Sequence, residues 1–329
     1  MLQRILARNE TLVAIILVAF CIVTAALEPS FLSLATLFDL LRAGIVTAIF
    51  AVGVLLVLAS GGIDVSFTAI AAFSMYVGTK AMIAFGMGDS ILVAFLVAGV
   101  IGLALGLING FFIASLRLPT MIVTLGTLSV FRGFLLTFVG TQLITAVPSG
   151  MRAFSRTMLI RLTTPNGEFV SLPIAFLLVV VVVALTWFLL NRTMLGRSIY
   201  ALGGAPESAL RVGVNVVWVQ YFVYAYVGVL SSVAGIVHGS LARVANPFDL
   251  VGLELSVIAA VVLGGARLSG GHGTILGTLL GVALIVVINN SLIVLGIPST
   301  WQSVVTGGLI LFGTGAPALR ARLATLRED

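Results

Sequence analysis

Residues 171–190 read SLPIAFLLVVVVVALTWFLL and hold no charged side chain. A run of about 20 apolar residues is long enough to cross the hydrocarbon core of a membrane as one helix. The run ends at Asn191–Val216, a polar segment that carries several arginines. This change of character predicts a membrane-spanning helix followed by a loop outside the membrane.

The same alternation runs through the whole chain. Of its 329 residues, 60% are hydrophobic and 9% are charged, and the mean hydropathy is +1.25. Soluble domains do not reach such values, which predicts an all-α polytopic membrane protein whose residues 1–329 form a single transmembrane domain. Cutting the apolar runs at span length predicts about ten transmembrane helices, at Thr11–Leu27, Phe38–Leu58, Phe67–Phe85, Ile91–Leu116, Thr120–Gly140, Ser171–Leu190, Val217–Gly239, Leu250–Gly265, Thr274–Leu295 and Ser299–Pro317.

The arginines predict the orientation, because short cytoplasmic loops retain positive residues. A cytoplasmic amino terminus places both termini and the Asn191–Val216 loop inside, together with Arg4, Arg8, Arg117, Arg192, Arg197, Arg211, Arg267, Arg320, Arg322 and Arg327. Near the outer face lie Lys80, Arg152, Arg156, Arg161 and Arg243. The outer loop Thr141–Val170 carries three arginines, which weakens this assignment. Longer loops, however, are translocated across the membrane largely independently of their charge. The first apolar run is expected to stay as an anchor, since further spans follow it.

A short helix is predicted inside the Asn191–Val216 loop. Pro206 suits the first helical position, and Glu207 lies where the helix dipole favours negative charge. Arg211 falls in the last turn, and Gly213 allows a left-handed stop. The helix should cover Pro206–Val212, and its apolar residues are Ala209, Leu210 and Val212. They could dock on a partner surface or rest on the protein's own spans.

Two glycine pairs lie about 200 residues apart and share a pattern, GGIDVS at 61–66 and GGARLS at 264–269. Glycine-interrupted segments in the two halves of a transporter mark broken or re-entrant helices along the translocation path, although each pair could equally be a tight turn. A sharper hypothesis pairs Asp64 with Arg267 as part of a gate, because unpaired charges near lipid are costly. The gate and path candidates are Gly61, Gly62, Asp64, Ser66, Gly264, Gly265, Arg267, Asn289 and Asn290.

The sequence carries no pattern of catalytic residues. It has no phosphate-binding loop with a Gly-Lys-Ser/Thr ending, so ATP hydrolysis is not expected in this chain. Cys21 is the single cysteine, and His238 and His272 lack neighbours at metal-ligand spacing. Neither an enzyme nor a bound metal is therefore predicted.

Several polar residues interrupt the spans, namely Asn109, Thr124, Thr127, Gln220, Tyr224, Asn289 and Asn290. They could hydrogen-bond a neutral solute on its way through, or they could join helices to one another. The spans hold no ladder of acids of the kind that proton-coupled carriers use, which counts against an ion-coupled secondary carrier.

Four segments resemble the permease subunits of bacterial ribose-, xylose- and galactose-type ABC importers, in unchanged order from about residue 37 to 315. They are SGGIDVS at 60–66, GRSIYALGG at 196–204 with GVNV at 213–216, ELSVIAAVVLGGARLSGGHGT at 254–274 with Gly277-Thr278, and the pair Asn289-Asn290. Four ordered motifs make a far more specific signal than any one of them.

This resemblance implies a permease that moves a sugar or sugar-like solute across a bacterial cytoplasmic (inner) membrane. Such permeases act as a pair of membrane chains, either identical or related, with a separate cytoplasmic ATPase that binds ATP and Mg and with a soluble solute-binding protein outside. The chain itself would bind no cofactor. The short helix would be the coupling helix that docks on the ATPase, with coupling residues Arg197, Pro206, Glu207, Leu210, Arg211 and Gly213.

The chain departs from the family pattern at two places. Ser66-Phe67-Thr68 stands where the family usually has Ser-Val-Gly, so helix packing is expected to differ there. Ser256 replaces an acid that many relatives carry. A branched-chain amino-acid-type ABC permease, an ion-coupled carrier and a non-transporting membrane scaffold stay open as alternatives, and the identity of the solute is not readable.

Overall fold

The computed structural model describes residues 9–163, 167, 169–298, 300, 301, 304, 305, 307 and 308. Its helices, in chain order, are α1 Asn9–Leu27, α2 Leu34–Ala59, α3 Phe67–Ala84, α4 Ile91–Gly110, α5 Thr120–Phe134, α6 Ser149–Arg156, α7 Ala175–Arg192, α8 Met194–Gly204, α9 Pro206–Arg211, α10 Val216–Ala242, α11 Glu254–Leu263 and α12 Ile275–Val294. Short π-helical segments, Phe111–Ser115 and Leu135–Val139, extend α4 and α5, and a 3₁₀ turn covers Pro29–Leu32. The all-α polytopic fold class is confirmed.

Eight of the described helices are long and apolar enough to cross a membrane, namely α1, α2, α3, α4, α5, α7, α10 and α12. Each corresponds to one of the predicted spans. The predicted span Leu250–Gly265 instead contains α11, which has ten residues and reaches only about 15 Å, about half of a membrane core. The predicted span Ser299–Pro317 lies largely outside the described residues.

The second half of α2 forms the centre of the bundle. Its residues from Ile45 to Ala59 are almost all apolar and buried, as expected of a helix that is hydrophobic on every side. Helices α7, α10, α11 and α12 pack around it. This central position matters because α2 ends directly before the first glycine pair.

Helices α4 and α10 pack extensively against each other, through small residues. A Cβ on Gly102 would stand 2.3 Å from the carbonyl oxygen of Gly228, and one on Gly106 would stand 2.3 Å from that of Tyr224. Within a membrane, helices gain stability by this kind of close backbone approach, because lipid supplies no hydrophobic drive between them.

The loop Thr141–Val170 contains structure that the sequence analysis does not predict. It holds α6 and the first strand of an antiparallel hairpin, β1 Met158–Thr163 and β2 Phe169–Pro173. Ile144 also pairs with Ala245 through two backbone hydrogen bonds of 3.0 Å. At the other end of α7, the Asn191–Val216 segment folds into α8 and α9.

Candidate coupling and gate site

Helix α9 begins at the predicted residue. Pro206 and Glu207 occupy its first turn and Arg211 its last turn, and Gly213 follows with a φ of +85°. That φ lies in the left-handed region that glycine enters without strain. The helix ends at Arg211, one residue before the predicted end at Val212.

The apolar residues of α9 divide between two environments. Ala209 is buried against the rest of the chain, whereas Leu210 is 59% exposed and Val212 78% exposed. Glu207 and Arg211 form an exposed ion pair of 3.8 Å, a kind that contributes little to stability. The helix therefore rests on its own protein through Ala209 and presents the rest of its surface outward.

We call the outward set the coupling surface, and it consists of Arg197, Glu207, Leu210, Arg211 and Val212, all exposed. A cavity of about 750 Å³ adjoins it, between Leu210, the residues Val214–Val217 and the Arg117–Thr120 turn. Gly61 also lines this cavity. The coupling surface thus lies at the same end of the bundle as the first glycine pair.

Helix α8, which precedes α9, is absent from the sequence prediction. Its start is capped by Thr193, whose hydroxyl accepts a hydrogen bond of 3.1 Å from the Gly196 amide and donates one of 2.6 Å to the Leu189 carbonyl. A threonine at this position satisfies one of the free amides of a helix start. Because the cap also binds α7, the direction of α8 is fixed relative to a membrane span.

The end of α8 enters a cluster of glycines that we call the glycine junction, made of Gly61, Gly203, Gly204, Gly270 and Gly271. A Cβ on Gly203 would stand 2.1 Å from the Ala59 carbonyl oxygen and 2.6 Å from the Gly271 nitrogen. One on Gly270 would stand 2.7 Å from the Gly61 Cα. No side chain fits at Gly203, Gly270 or Gly271 without moving the backbone.

Two hydrogen bonds tie the same segments together. The Gly271 amide donates to the Ala59 carbonyl at 3.1 Å, and the Tyr200 hydroxyl of α8 donates to the Gly273 carbonyl at 2.8 Å. The structure therefore brings the first glycine pair, the loop that follows the second one, and the end of α8 into one contact, directly before α9.

Gly264 and Gly265 of the second pair lie beside this junction rather than inside it. A Cβ on Gly264 would stand 2.2 Å from the Gly277 carbonyl oxygen, so the end of α11 packs tightly on the start of α12. Gly265 has a φ of +98°, and its carbonyl oxygen lies 3.1 Å from His272 Nδ1. The pair therefore forms the turn that leaves α11.

Asp64 is buried and anchors the loop between α2 and α3. Its Oδ1 accepts hydrogen bonds of 2.7 Å from both the amide and the hydroxyl of Ser66, and the Asn109 side chain donates to the Ser66 hydroxyl at 2.7 Å. Burial raises the pKa of the Asp64 carboxyl above its usual range, and the Ser66 hydrogen bonds oppose that rise. The Asp64 carboxyl group therefore accepts hydrogen bonds from its own loop rather than pairing with a charged side chain.

Polar residues of neighbouring spans hold the other side of this loop. The Ile63 amide donates to the Thr120 hydroxyl at 3.0 Å, and the Thr124 hydroxyl donates to the Ile63 carbonyl at 3.2 Å. A Cβ on Gly62 would stand 2.7 Å from the Tyr224 hydroxyl oxygen. Thr124, like Asn109, joins helices through the loop, as the alternative interpretation of these residues predicts.

The hypothesis that Asp64 pairs with Arg267 is wrong for this chain. The Arg267 side chain is exposed, while its backbone amide donates to the His272 carbonyl at 3.1 Å. Among the described residues, no ion pair joins Asp64 to Arg267. The buried carboxyl is satisfied within its own loop, so the energetic reason for a partner charge does not apply.

Asn289 and Asn290 lie elsewhere. They are half-buried, near the far end of α12, about 20 Å along the helix from its start beside the junction at 1.5 Å per residue. The structure does not bring them together with the other gate candidates.

Glu254 is a functional candidate that the sequence analysis omits. It is buried at the first position of α11, and its carboxylate accepts a hydrogen bond from the Thr68 hydroxyl of α3 and one of 2.8 Å from the Gly252 amide. Thr68 is one of the residues that depart from the family pattern, and its hydroxyl makes this contact to α11. A single acid opening an apolar run, ELSVIAAVVL, is the signal that could have revealed it.

Comparison with known proteins gives a consistent family. Residues 36–313 match the family described as "Branched-chain amino acid transport system / permease component". The chain is 38% identical to the ribose import permease protein RbsC of Bacillus subtilis over 292 residues, 88% of this chain and 87% of that protein. No solved structure matches.

Two further relatives extend the comparison along almost the whole chain. The autoinducer 2 import system permease protein LsrC of Yersinia pseudotuberculosis is 33% identical over 322 residues, 98% of this chain and 87% of that protein. The ribose import permease protein RbsC of Escherichia coli is 33% identical over 307 residues, 93% of this chain and 92% of that protein.

Proposed function

Because this chain belongs to the family of transport-system permease components, we propose that it is the membrane-spanning permease subunit of an ATP-driven ABC importer for a sugar or sugar-like polar solute. It is a multi-pass membrane protein with eight candidate spans among its described residues. An importer permease of this kind works with an ATPase and a solute-binding protein.

The names of the relatives bear on the choice between two solute classes, sugars and branched-chain amino acids. The family description mentions branched-chain amino acids, but the similar proteins are named for ribose and for autoinducer 2. These names favour a sugar or sugar-like solute over a branched-chain amino acid.

The observation that carries the proposal is the connection from the coupling surface to the glycine junction. Leu210 and Val212 are exposed apolar side chains on a helix whose preceding element, α8, ends between the two glycine loops. A partner that moves α9 would therefore displace the loops at the ends of α2 and α11. Coupling of ATP hydrolysis to a path through the membrane needs such a connection.

The finer assignments follow from this proposal. The coupling surface docks on a cytoplasmic ATPase, which places the α8–α9 end of the bundle inside the cell and the β1–β2 hairpin outside. A second permease chain, identical or related, completes the path. The charge pattern of the loops supports this orientation.

A pull-down of the tagged chain from its native membrane in gentle detergent, followed by mass spectrometry, tests the proposal. Recovery of an ABC ATPase and a solute-binding protein is the expected result. A chain that is recovered alone and still moves solute into vesicles without ATP would instead be a secondary carrier. A membrane scaffold would recover partners but support no uptake.

A further inference from the structure

Two acids are buried among the described residues, Asp64 and Glu254. Asp64 is bonded within its own loop, whereas Glu254 reaches across to Thr68 on a different helix. An ionisable side chain buried within a membrane bundle is costly and is normally kept for function. Glu254 is therefore the buried acid that connects separate elements of the bundle, since its carboxylate binds both Thr68 of α3 and the Gly252 amide.

The length of α11 fixes the depth of Glu254. The helix starts at Glu254 and has ten residues, and the turn that follows it reaches the glycine junction at the end of α2. Ten residues rise about 15 Å, which is half of the roughly 30 Å hydrocarbon core. Glu254 consequently lies about 15 Å along α11 from the turn that reaches the junction, inside the bundle of spans.

The backbone before Glu254 is not helical at this depth. Between α10 and α11 the chain turns through Arg243 and Leu250, with φ of 56° and 70°, and Gly252, with φ of +91°. Irregular backbone at membrane depth is tolerated only where it is buried in protein or lines a water-filled cavity. Gly252, Leu253 and Leu255 are exposed in this chain, so burial within the chain does not account for them.

We propose that Glu254 lies on the water-filled translocation path and hydrogen-bonds the hydroxyl groups of the passing solute, with Thr68 as the residue that positions its carboxylate between solute molecules. A carboxylate accepts several hydrogen bonds at once, and the start of α11 favours its negative charge. A solute hydroxyl can replace the Thr68 hydroxyl without leaving the carboxylate unpaired. This inference rests on the proposed function for the identity of the solute, but its claim about water does not.

The first test measures water at the start of α11, independently of any solute. In a Cys21→Ser background, Leu255→Cys and Val100→Cys are compared in the reconstituted complex, since both native side chains are 67% exposed in the single chain. Val100 lies on an apolar stripe of α4 with Leu92 and Leu96 and serves as the lipid-facing control. A charged, membrane-impermeant thiol reagent should modify Leu255→Cys at least about tenfold faster than Val100→Cys, whether or not the complex is hydrolysing ATP. Equal, slow modification of both would overturn the proposal.

The second test distinguishes a contact between Glu254 and the solute from a Glu254–Thr68 hydrogen bond that only joins two helices. Uptake of radiolabelled ribose is measured in proteoliposomes for Glu254→Gln, Thr68→Val and the double variant, with Thr186→Val as the control for loss of a buried threonine hydroxyl. Glu254→Gln should lower the maximal uptake rate about tenfold and Thr68→Val about threefold, and Thr68→Ser should recover most of the latter loss. The half-saturating concentration of the loaded binding protein should stay unchanged.

The outcomes of the second test are distinct. Equal losses in both single variants, with no further loss in the double variant, would mean that the Glu254–Thr68 bond only joins two helices, and normal uptake by Glu254→Gln would likewise overturn the proposal. If the unaltered complex moves no ribose, ribose is excluded as the solute, and the thiol comparison still decides whether Glu254 lies on an aqueous path. Melting temperatures of the variants identify any that fail to fold.

Discussion

The backbones of Gly203 and Gly271 touch, such that a Cβ on Gly203 would stand 2.6 Å from the Gly271 nitrogen. Gly203 lies in the last turn of α8, the helix that leads to α9, and Gly271 belongs to the loop between α11 and α12. The same Gly271 amide donates to the Ala59 carbonyl at the end of α2. A movement of α9 is therefore transmitted to the spans α2 and α12 through a contact that contains almost no side-chain atoms.

Replacing Gly203 should break this connection. In Gly203→Ala, the new methyl group meets the Ala59 carbonyl oxygen at 2.1 Å, whereas in Gly204→Ala it meets only the Gly271 Cα at 3.6 Å. We expect uptake to fall by about tenfold or more in the first variant, equal to at least about 1.4 kcal/mol of barrier, and to remain near the parent level in the second. Uptake and ATP hydrolysis by purified complexes check this, and similar uptake by both variants would contradict it.

Changes on the coupling surface should separate hydrolysis from transport. Glu207→Arg and Leu210→Asp leave the spans untouched, because Glu207 and Leu210 are exposed. We expect both variants to be made in normal yield and to lose ATP-coupled uptake. Phe169→Asp is the matched control, since Phe169 is 89% exposed on the hairpin at the opposite end of α7, and it should retain the ATPase in a pull-down. Normal uptake by either α9 variant would refute the assignment.

Exchanging the charges of Asp64 and Arg267 should not restore function. Asp64→Arg places a cation in a buried loop whose partners are hydroxyl and amide donors, at a cost of several kcal/mol. Arg267 is exposed, so Arg267→Asp alone should change the unfolding free energy by less than about 0.5 kcal/mol. The double variant should fold as poorly as Asp64→Arg, measured as monodisperse yield and uptake, and recovery in the double variant would revive the ion-pair hypothesis.

The contact between α4 and α10 predicts a stability difference between two glycines of one helix. Gly102→Ala drives a methyl group to 2.3 Å from the Gly228 carbonyl oxygen, while a Cβ on Gly99 has nothing within 4 Å. Overpacking should cost Gly102→Ala about 1–3 kcal/mol, whereas Gly99→Ala should gain up to about 1 kcal/mol from helix propensity. Melting temperatures in detergent should therefore move in opposite directions. A lower melting temperature for Gly99→Ala would count against the packing described.

Local signals made α9 and the long spans predictable. Pro206, Glu207, Arg211 and Gly213 each act within one helical turn, and a span needs only an apolar run of sufficient length. The β1–β2 hairpin and α8 escaped prediction because their sequences lack comparably strong patterns and depend on contacts with neighbouring helices.

The site itself depends on contacts distant in sequence. Nothing near Gly203 indicates that it meets Ala59 and Gly271, and nothing near Glu254 names Thr68 as its partner. The expected Asp64–Arg267 pair was wrong because two charges in similar motifs need not face one another. The buried Asp64 carboxyl group accepts its hydrogen bonds from Ser66, two residues further along the chain.

The central claim is that this chain conducts a sugar or sugar-like solute in an ATP-driven importer. The most direct test is uptake of the radiolabelled sugar that the co-purified binding protein binds, by proteoliposomes that contain the chain, its co-purified ATPase enclosed with ATP and Mg²⁺, and the binding protein outside. We expect uptake that requires ATP and the binding protein and that is lost in Leu210→Asp. Solute accumulation that continues without ATP, or that is unchanged by Leu210→Asp, would contradict the account.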